Sequence, residues 1–268
     1  MGILKAIALG VLQGLTEFLP ISSSGHLVLA QALFPHGITH AVAFDVCLHF
    51  GTLVAVVIYF RRDLIEMTRS LLLWVRGEAN EDDYHAHWVL LLGLATVPVG
   101  IVGLSFADVL EQSFRSIPRV GAALICTSAI LVFALRHLGG KRGPADLTVR
   151  DALLIGLFQA FAIVPGISRS GSTIAGGLFL KLDPNTAARF AFLLSIPAIT
   201  AAMLGSLPGL TSLIAEDPTA VAAGVAAAGV TGWLAIEVMM RAVRLGRLGT
   251  FAVYCLVLGC LALFAGVL

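Results

Sequence analysis

Six stretches of about 20 mostly apolar residues, 41–60, 87–106, 119–138, 186–207, 219–240 and 249–268, decide where this chain can fold. A run of that length matches the hydrocarbon thickness of a bilayer, and a helix is the form in which it satisfies its own backbone groups there. Only 12% of the residues are charged, about half the share in ordinary soluble domains. With a mean hydropathy of +0.96, the expectation is an integral membrane protein throughout. The opening MGILKAIALG is not expected to be a removable signal, because it lacks a small-residue cleavage site and polar residues interrupt it. A net charge of +1 leaves no nucleic-acid footprint. Cys47, Cys126, Cys255 and Cys260 lie within apolar segments without metal-type spacing, so they read as packed thiols.

Two further apolar stretches, around 5–34 and 150–181, break at Leu19-Pro20 and at Pro165-Gly166, and each then runs into serines and a glycine. A piece of about 15 residues rises only about 22 Å as a helix, too short to cross. Each stretch is therefore expected to form a re-entrant hairpin whose non-helical tip is buried in protein or lines a wet cavity. Basic residues set the orientation. The first connection between spans carries Arg61, Arg62, Arg69 and Arg76. The third carries Arg136, Lys141, Arg142 and Arg150, with Lys181 and Arg189 beyond the second hairpin. The fifth carries Arg241, Arg244 and Arg247, whereas the second holds only Arg115 and Arg119 and the fourth none. The odd connections are expected in the cytoplasm and both termini outside, so the two hairpins dip from opposite faces.

A shift of 146 residues lays one hairpin on the other: Gly10 meets Gly156, Gln13 meets Gln159, Ser22 meets Ser168, Ser24 meets Ser170 and Gly25 meets Gly171. Phe44 meets Phe190 at the same offset. Each half is one hairpin plus three spans, and an odd number of spans turns the second copy upside down. The expected fold class is an all-α polytopic membrane protein of six transmembrane helices plus two re-entrant helical hairpins, as an inverted-topology repeat. Residues 1–268 form one membrane domain, with halves of approximately 1–140 and 147–268. Sites in such folds lie near the midplane, where broken segments meet.

The hairpin tips, QGLTEFLPISSSGH at 13–26 and QAFAIVPGISRSGST at 159–173, hold the polar groups. Gln13 and Glu17 are four apart and share a helix face. A carboxylate at that depth needs a cation or a proton partner, and a divalent metal accepts a carboxylate and an amide oxygen while keeping room for a phosphate. Ser22, Ser23 and Ser24 follow the break and can cap the next half-helix, whose N–H groups favour anions. His26 lies at its start, where a general base for a serine would be needed. Arg169, flanked by Ser168, Ser170 and Thr173, offers a forked donor set suited to phosphate. Serines capping a kink and an Arg–Glu pair bridging helices are the plainer reading, but they leave His26 and the serine cluster without a purpose. Asp45 and His49, one turn apart in the first span, either face the same cavity or lie elsewhere. His36, His40, His85, His87 and His137 fall near connections and are expected to meet water.

Q-x-x-x-E followed by FLPISSSGH, with PGISRSGST in the second half and FDVCLHFG at 44–51, closely resembles the undecaprenyl-pyrophosphate phosphatases, also called bacitracin-resistance proteins. The resemblance covers the whole chain. It implies a membrane enzyme of the bacterial cytoplasmic (inner) membrane that removes the terminal phosphate of a C55 isoprenoid diphosphate carrier, with a divalent cation, Mg2+ or Ca2+, as cofactor. The family's E/Q-x-x-x-E motif falls on Gln13 and Glu17, its serine-glycine-histidine run on Ser22, Ser23, Ser24, Gly25 and His26, and its P-G-x-S-R-S-G motif on Pro165 through Gly171. Glu17, Ser23, His26 and Arg169 are thereby the expected catalytic residues, and Glu17 with Gln13 the expected metal ligands. Gln13, Ser22, Ser24, Gly25, Ser168, Ser170, Gly171 and Thr173 are expected to hold substrate. Gln at 13 weakens any scheme that needs two carboxylates there. Either Ser23 or a water held by His26 attacks phosphorus.

The expected partners are a polyprenyl diphosphate lipid and membrane lipid, with no nucleic acid; a homodimer is left open. Inverted repeats also suit a lipid-phosphate flippase or anion transporter, which phosphate release separates from an enzyme. Another membrane phosphatase superfamily shares the S-G-H triplet. It needs a histidine where this chain has Ala175, so that reading fails.

Overall fold

Helix α1 (Ile3–Phe18) stops because Leu19 precedes a proline, which pushes its backbone out of the helical region; Leu19 is extended, with φ −68° and ψ 144°. The chain resumes as α2 (Ser23–Ala32). The structure, a computed structural model, describes residues 2–32, 41–78, 83–106, 116–206 and 213–266. His36, His40, Arg115 and Leu268 lie outside the described residues. Next come α3 (Ala41–Tyr59), α4 (Arg61–Val75), α5 (Tyr84–Ser105) and α6 (Ile117–Leu135). Past a 3-10 turn at Pro144–Asp146 follow α7 (Val149–Phe161), α8 (Arg169–Phe179), α9 (Pro184–Gly205), α10 (Pro218–Arg244) and α11 (Leu248–Ala265).

Each expected span falls on one helix. α5, α6, α9, α10 and α11 are long and apolar enough to cross a membrane, and α3 taken with the bent α4 makes a sixth. Both expected hairpins are present as α1–α2 and α7–α8. The starts are written in the sequence. Thr148 and Asp151 cap α7 reciprocally, Ser168 accepts from Gly171 N–H at the start of α8, and Asp183 accepts from the Asn185 and Thr186 N–H groups at the start of α9. α4 was not expected. The chain turns by 73° after Tyr59 and runs as a helix with Met67 and Ser70 buried and Ile65, Leu72, Trp74 and Val75 exposed. Such an apolar face beside Arg62 and Arg69 suits a helix lying in the membrane interface.

The basic connections gather at one end of the bundle. Arg189 near the start of α9 pairs with Asp63 of α4, and its guanidinium lies 5.9 Å from the Trp88 ring. Arg142 donates to Asp151 and to the Leu180 carbonyl, tying the third connection to the mouth of the second hairpin. Tyr59, at the end of α3, donates to Glu237 of α10 at 2.7 Å. Connections one, three and five therefore share an end. Gly2 and Gly266 lie at the other: α1 packs its first turns on the start of α10, and Gly266 sits against Pro118 at the start of α6.

The two larger apolar clusters among the described residues hold the halves together. At the basic end Phe18, Trp88, Leu178, Phe190, Phe192 and Met239 pack as one buried core, with Trp88 edge-on to Phe190 at 5.4 Å. At the other end Ala6, Leu9, Leu27, Phe44, Leu48 and Val221 form a second. In a bilayer, where lipid is as apolar as leucine, close backbone approach supplies much of the adhesion between helices. α1 meets α10 at such a seam: a Cβ on Gly10 would collide with the Gly224 carbonyl, and one on Gly14 with the Thr231 hydroxyl. Cys47 and Cys255 are buried and Cys126 and Cys260 half-buried, all as free thiols.

Candidate active site

The tips of the two hairpins touch. Gly166 N–H donates to the Ser22 hydroxyl at 3.1 Å, and the Ser170 hydroxyl donates to the Leu19 carbonyl at 3.1 Å. Thr127 of α6 clamps the second tip, donating to the Gly166 carbonyl at 2.9 Å and accepting from Ser168 N–H at 3.0 Å. Gly166 has φ +99°, which a side chain would strain. Ser22 has φ +70° without being glycine. Its Oγ, in return, receives the Gly166 and Gly25 N–H groups and pairs with Ser24 at 3.3 Å. A strained residue over-determined by its hydrogen bonds is a feature of functional sites.

Glu17 sits at this junction. Its Oε1 takes the Arg169 Nη2, and its Oε2 accepts from Ser23 Oγ at 2.5 Å and from Gln13 Nε2 at 2.9 Å. His49 Nε2 stands 3.5 Å from the same Oε2, its Nδ1–H donating to the Asp45 carbonyl at 2.7 Å. Four side chains from α1, α2, α3 and α8 thus surround one carboxylate whose side chain is 3% exposed. The guanidinium supplies the counter-charge that such depth requires, and its other N–H groups stay available to a phosphate.

A cavity of about 710 Å³ opens from this cluster. Glu17, Ser23, His49 and Arg169 line its inner part; Gly103 of α5 and Ala202 of α9 line the apolar arm that leads away. Along both helices the lining runs on to Leu104 and Ser206, toward the end that holds Gly2 and Gly266. The basic end below is filled by the larger apolar core.

His26 departs from its expected place. Its Nδ1–H donates to the Ser22 carbonyl, not to a serine hydroxyl, and its Nε2 pairs with the Tyr254 hydroxyl of α11, both at 2.7 Å. The rings stack with 5.6 Å between centroids. His26 is not among the cavity lining; His49 is. The backbone turn at Ser22 sets the rotation of α2, and packing on α11 turns the His26 face away from the carboxylate. Of the expected substrate residues, Ser22, Ser24 and Ser168 line the cavity with Ser23. Ser168 caps α8, Ser170 braces the first tip, and Thr173 donates to the Arg169 carbonyl at 2.8 Å. Gly25 and Gly171 permit close packing: Cβ atoms there would crowd the Gly166 Cα and Pro20 Cβ.

Among the described residues no group of three or more His, Cys, Asp or Glu could hold a metal. The donors that remain are Glu17 and the buried Gln13 Oε1, which has no hydrogen-bond partner. With its amide turned so that Oε1 rather than Nε2 faces Glu17, Gln13 would set one amide oxygen beside one carboxylate, a donor set that fits a hard cation.

A family profile described as "Bacitracin resistance protein BacA" matches residues 6–261. Similar proteins include an undecaprenyl-diphosphatase of Desulfosudis oleivorans, 45% identical with 98% of each chain covered, and one of Syntrophotalea carbinolica, 44% identical with 97% of each covered. Another, of Methanosphaera stadtmanae, is 39% identical over 100% of this chain and 99% of its own. With two broken hairpins meeting around Glu17, Ser23 and Arg169, and a profile match across nearly its whole length, this chain belongs to the bacitracin resistance protein family.

Proposed function

We propose that this protein hydrolyses the terminal phosphate of undecaprenyl diphosphate, giving undecaprenyl phosphate and returning the lipid carrier to peptidoglycan synthesis. The observation that carries the reading is the single cluster in which Ser23 donates to Glu17 at 2.5 Å while Arg169 of the opposite hairpin holds the other carboxylate oxygen. A serine hydroxyl bonded to a buried carboxylate is an aligned nucleophile. Ser23 Oγ attacks the terminal phosphorus, its proton passes to Glu17 with His49 Nε2 behind it, and the anhydride P–O bond breaks. Lipid monophosphate leaves. Water then releases inorganic phosphate and restores Ser23. Arg169 and the N–H groups at the starts of α2 and α8 neutralise the charge spread over the phosphoryl oxygens.

Glu17, and Gln13 Oε1 with that amide turned over, would hold the divalent cation, Mg2+ or Ca2+, which supplies further charge neutralisation on the diphosphate when bound. Proton handling falls to Glu17 and His49 rather than His26. The prenyl tail lies in the apolar arm beside Gly103 and Ala202, where small side chains leave room for it. We read the end where the basic connections cluster as cytoplasmic and both termini as outside, in the cytoplasmic (inner) membrane, with the cavity opening outward. The halves 1–140 and 147–268 are read as inverted repeats; Gly25 N–H to Ser22 Oγ at 3.3 Å and Gly171 N–H to Ser168 Oγ at 3.1 Å are equivalent bonds in the two.

The test is phosphate release from a long-chain prenyl diphosphate by the purified protein, with and without chelator. Inorganic phosphate and prenyl monophosphate are expected in equal amounts, with none from Ser23→Ala and less with chelator. A flippase or anion carrier yields none, and no release by the unchanged protein refutes the reading.

A further inference from the structure

Gln159, on the entry helix of the second hairpin, is 1% exposed, and neither its Oε1 nor its Nε2 has a hydrogen-bond partner. A buried amide with both ends unpaired costs stability and is uncommon in a well-packed protein. It belongs to the wall of the same cavity that Glu17, Ser23 and Arg169 line. Gln13 stands at the equivalent place in the first hairpin, 146 residues earlier, and its Nε2 is spent on Glu17, one turn on. One turn on from Gln159 stands Ile163. The second hairpin therefore repeats the amide without the carboxylate that would occupy it.

We propose that the Gln159 amide is a substrate-binding group, its Nε2 donating to a non-bridging oxygen of the diphosphate. This rests on the diphosphatase reading above and names a residue for it. Arg169 has one N–H committed to Glu17, so a neutral donor from the neighbouring helix adds a contact to the anion without competing for that carboxylate. A carboxylate at the same place would repel the substrate, and an apolar side chain would offer it nothing. The alternative is an amide tolerated in the wall, satisfied by a trapped water, with no part in binding.

The experiment uses the full-length protein in detergent with Gln159→Leu and Gln159→Met, both close in volume and without polar atoms. Loss of a hydrogen bond to an anion is expected to lower kcat/KM by roughly 10- to 100-fold, mainly through KM, and to weaken competitive inhibition by inorganic diphosphate to a similar degree. Thermal midpoints without ligand should be unchanged or higher, because an unpaired amide is gone. The midpoint rise that inorganic diphosphate gives the unchanged protein should shrink in both variants. Wild-type KM and inhibition in either folded variant would overturn the proposal. If Gln159→Leu does not fold, Gln159→Met carries the same test. Failure of the unchanged protein to release phosphate would count against the enzymatic reading. The inorganic-diphosphate midpoint shift still judges Gln159 in that case, and an equal shift in unchanged and variant proteins overturns it.

Discussion

Glu17 and Arg169 come from opposite hairpins, 152 residues apart, and meet side chain to side chain. The pair is the charged link between the two tips, and Ser23, the proposed nucleophile, hangs from it through its bond to Glu17 Oε2. Removing either charge leaves the other unpaired at depth, which typically costs about 3–5 kcal/mol for a fully buried pair; Arg169 keeps 22% of its side chain exposed, so the lower end applies. Glu17→Ala and Arg169→Ala are each expected to cut turnover at least about 100-fold. Glu17→Ala/Arg169→Ala, which leaves no orphaned charge, should be no less stable than the weaker single variant, yet inactive. Phosphate release and thermal midpoints on the same preparations check both halves. Near wild-type hydrolysis by a single variant would remove the pair from the mechanism.

Ser22 holds a left-handed backbone that glycine adopts freely, and it earns its place through its Oγ, which serves both tips. Ser22→Ala keeps the strained φ and loses those bonds, so stability should fall by about 1–3 kcal/mol. Ser22→Gly loses the same bonds but relieves the backbone, so it should recover about 1–2 kcal/mol of that. Thermal unfolding in detergent ranks the two. An alanine variant as stable as the glycine one would mean that the backbone there carries no strain.

The hairpin breaks were legible because each has a local cause: a proline after Leu19, and the Pro165-Gly166 pair in the second hairpin. Glu17 and Arg169 were legible because a buried charge needs a reason, and Ser23 because it follows the break in the first hairpin. Two things were not. Residues 61–75 carry arginines enough to pass for a loop, and their helix depends on packing Met67 and Ser70 inward. The rotation of α2 about its own axis depends on Tyr254, far along the chain, so spacing alone placed His26 beside the serine hydroxyls. The signal for His49 was present, as a histidine one turn from Asp45 inside an apolar span, but nothing local said which way that turn faced.

Gly10 of α1 lies against the backbone of α10 at Gly224. Gly10→Val puts two methyl groups where a carbonyl oxygen already is, and neither backbone can yield without parting the seam. A loss of about 1–3 kcal/mol, the usual cost of overpacking, is expected, with a lower yield of folded protein. Gly93, whose Cβ would meet nothing within 4 Å, serves as the control: Gly93→Ala should leave the midpoint unchanged or raise it, because alanine favours a helix interior over glycine by about 1 kcal/mol. Equal behaviour of the two variants would show that the seam is not tight.

Asp83 caps α5 outside the membrane, accepting from His85 N–H at 2.9 Å and from the Ser70 hydroxyl of α4. Partial burial raises its pKa, but the bonds from Ser70 and from the His85 backbone and ring outweigh that, and the carboxyl ends below its usual value. A depressed carboxylate stabilises the fold above its unfolded pKa, near 3.9, and loses that contribution as pH falls through the folded value. Asp83→Ala should therefore cost about 1 kcal/mol at neutral pH. The gap between the two proteins should close below about pH 4. Thermal midpoints from pH 3 to pH 7 measure it; a gap that widens in acid would reverse the sign.

The last prediction concerns which face is served. The cavity arm passes Gly103 and Ala202 toward the end that holds Gly2 and Gly266, while the end that gathers Arg142, Arg189 and Arg241 is filled by Trp88, Phe190 and their neighbours. Basic connections remain in the cytoplasm, so the arm should open outward, where a carrier lipid is left after delivering its cargo. Ala202→Cys, in a background with Cys47, Cys126, Cys255 and Cys260 replaced, places a thiol in the arm without touching the Glu17 cluster. A membrane-impermeant thiol reagent should label it from the outer face of intact cells, and inorganic diphosphate with a prenyl diphosphate analogue should slow the labelling. Fusions at Leu268 should place a reporter on the same outer side. Labelling only from the cytoplasmic face of oriented vesicles would turn the protein over and make the site serve the inner leaflet.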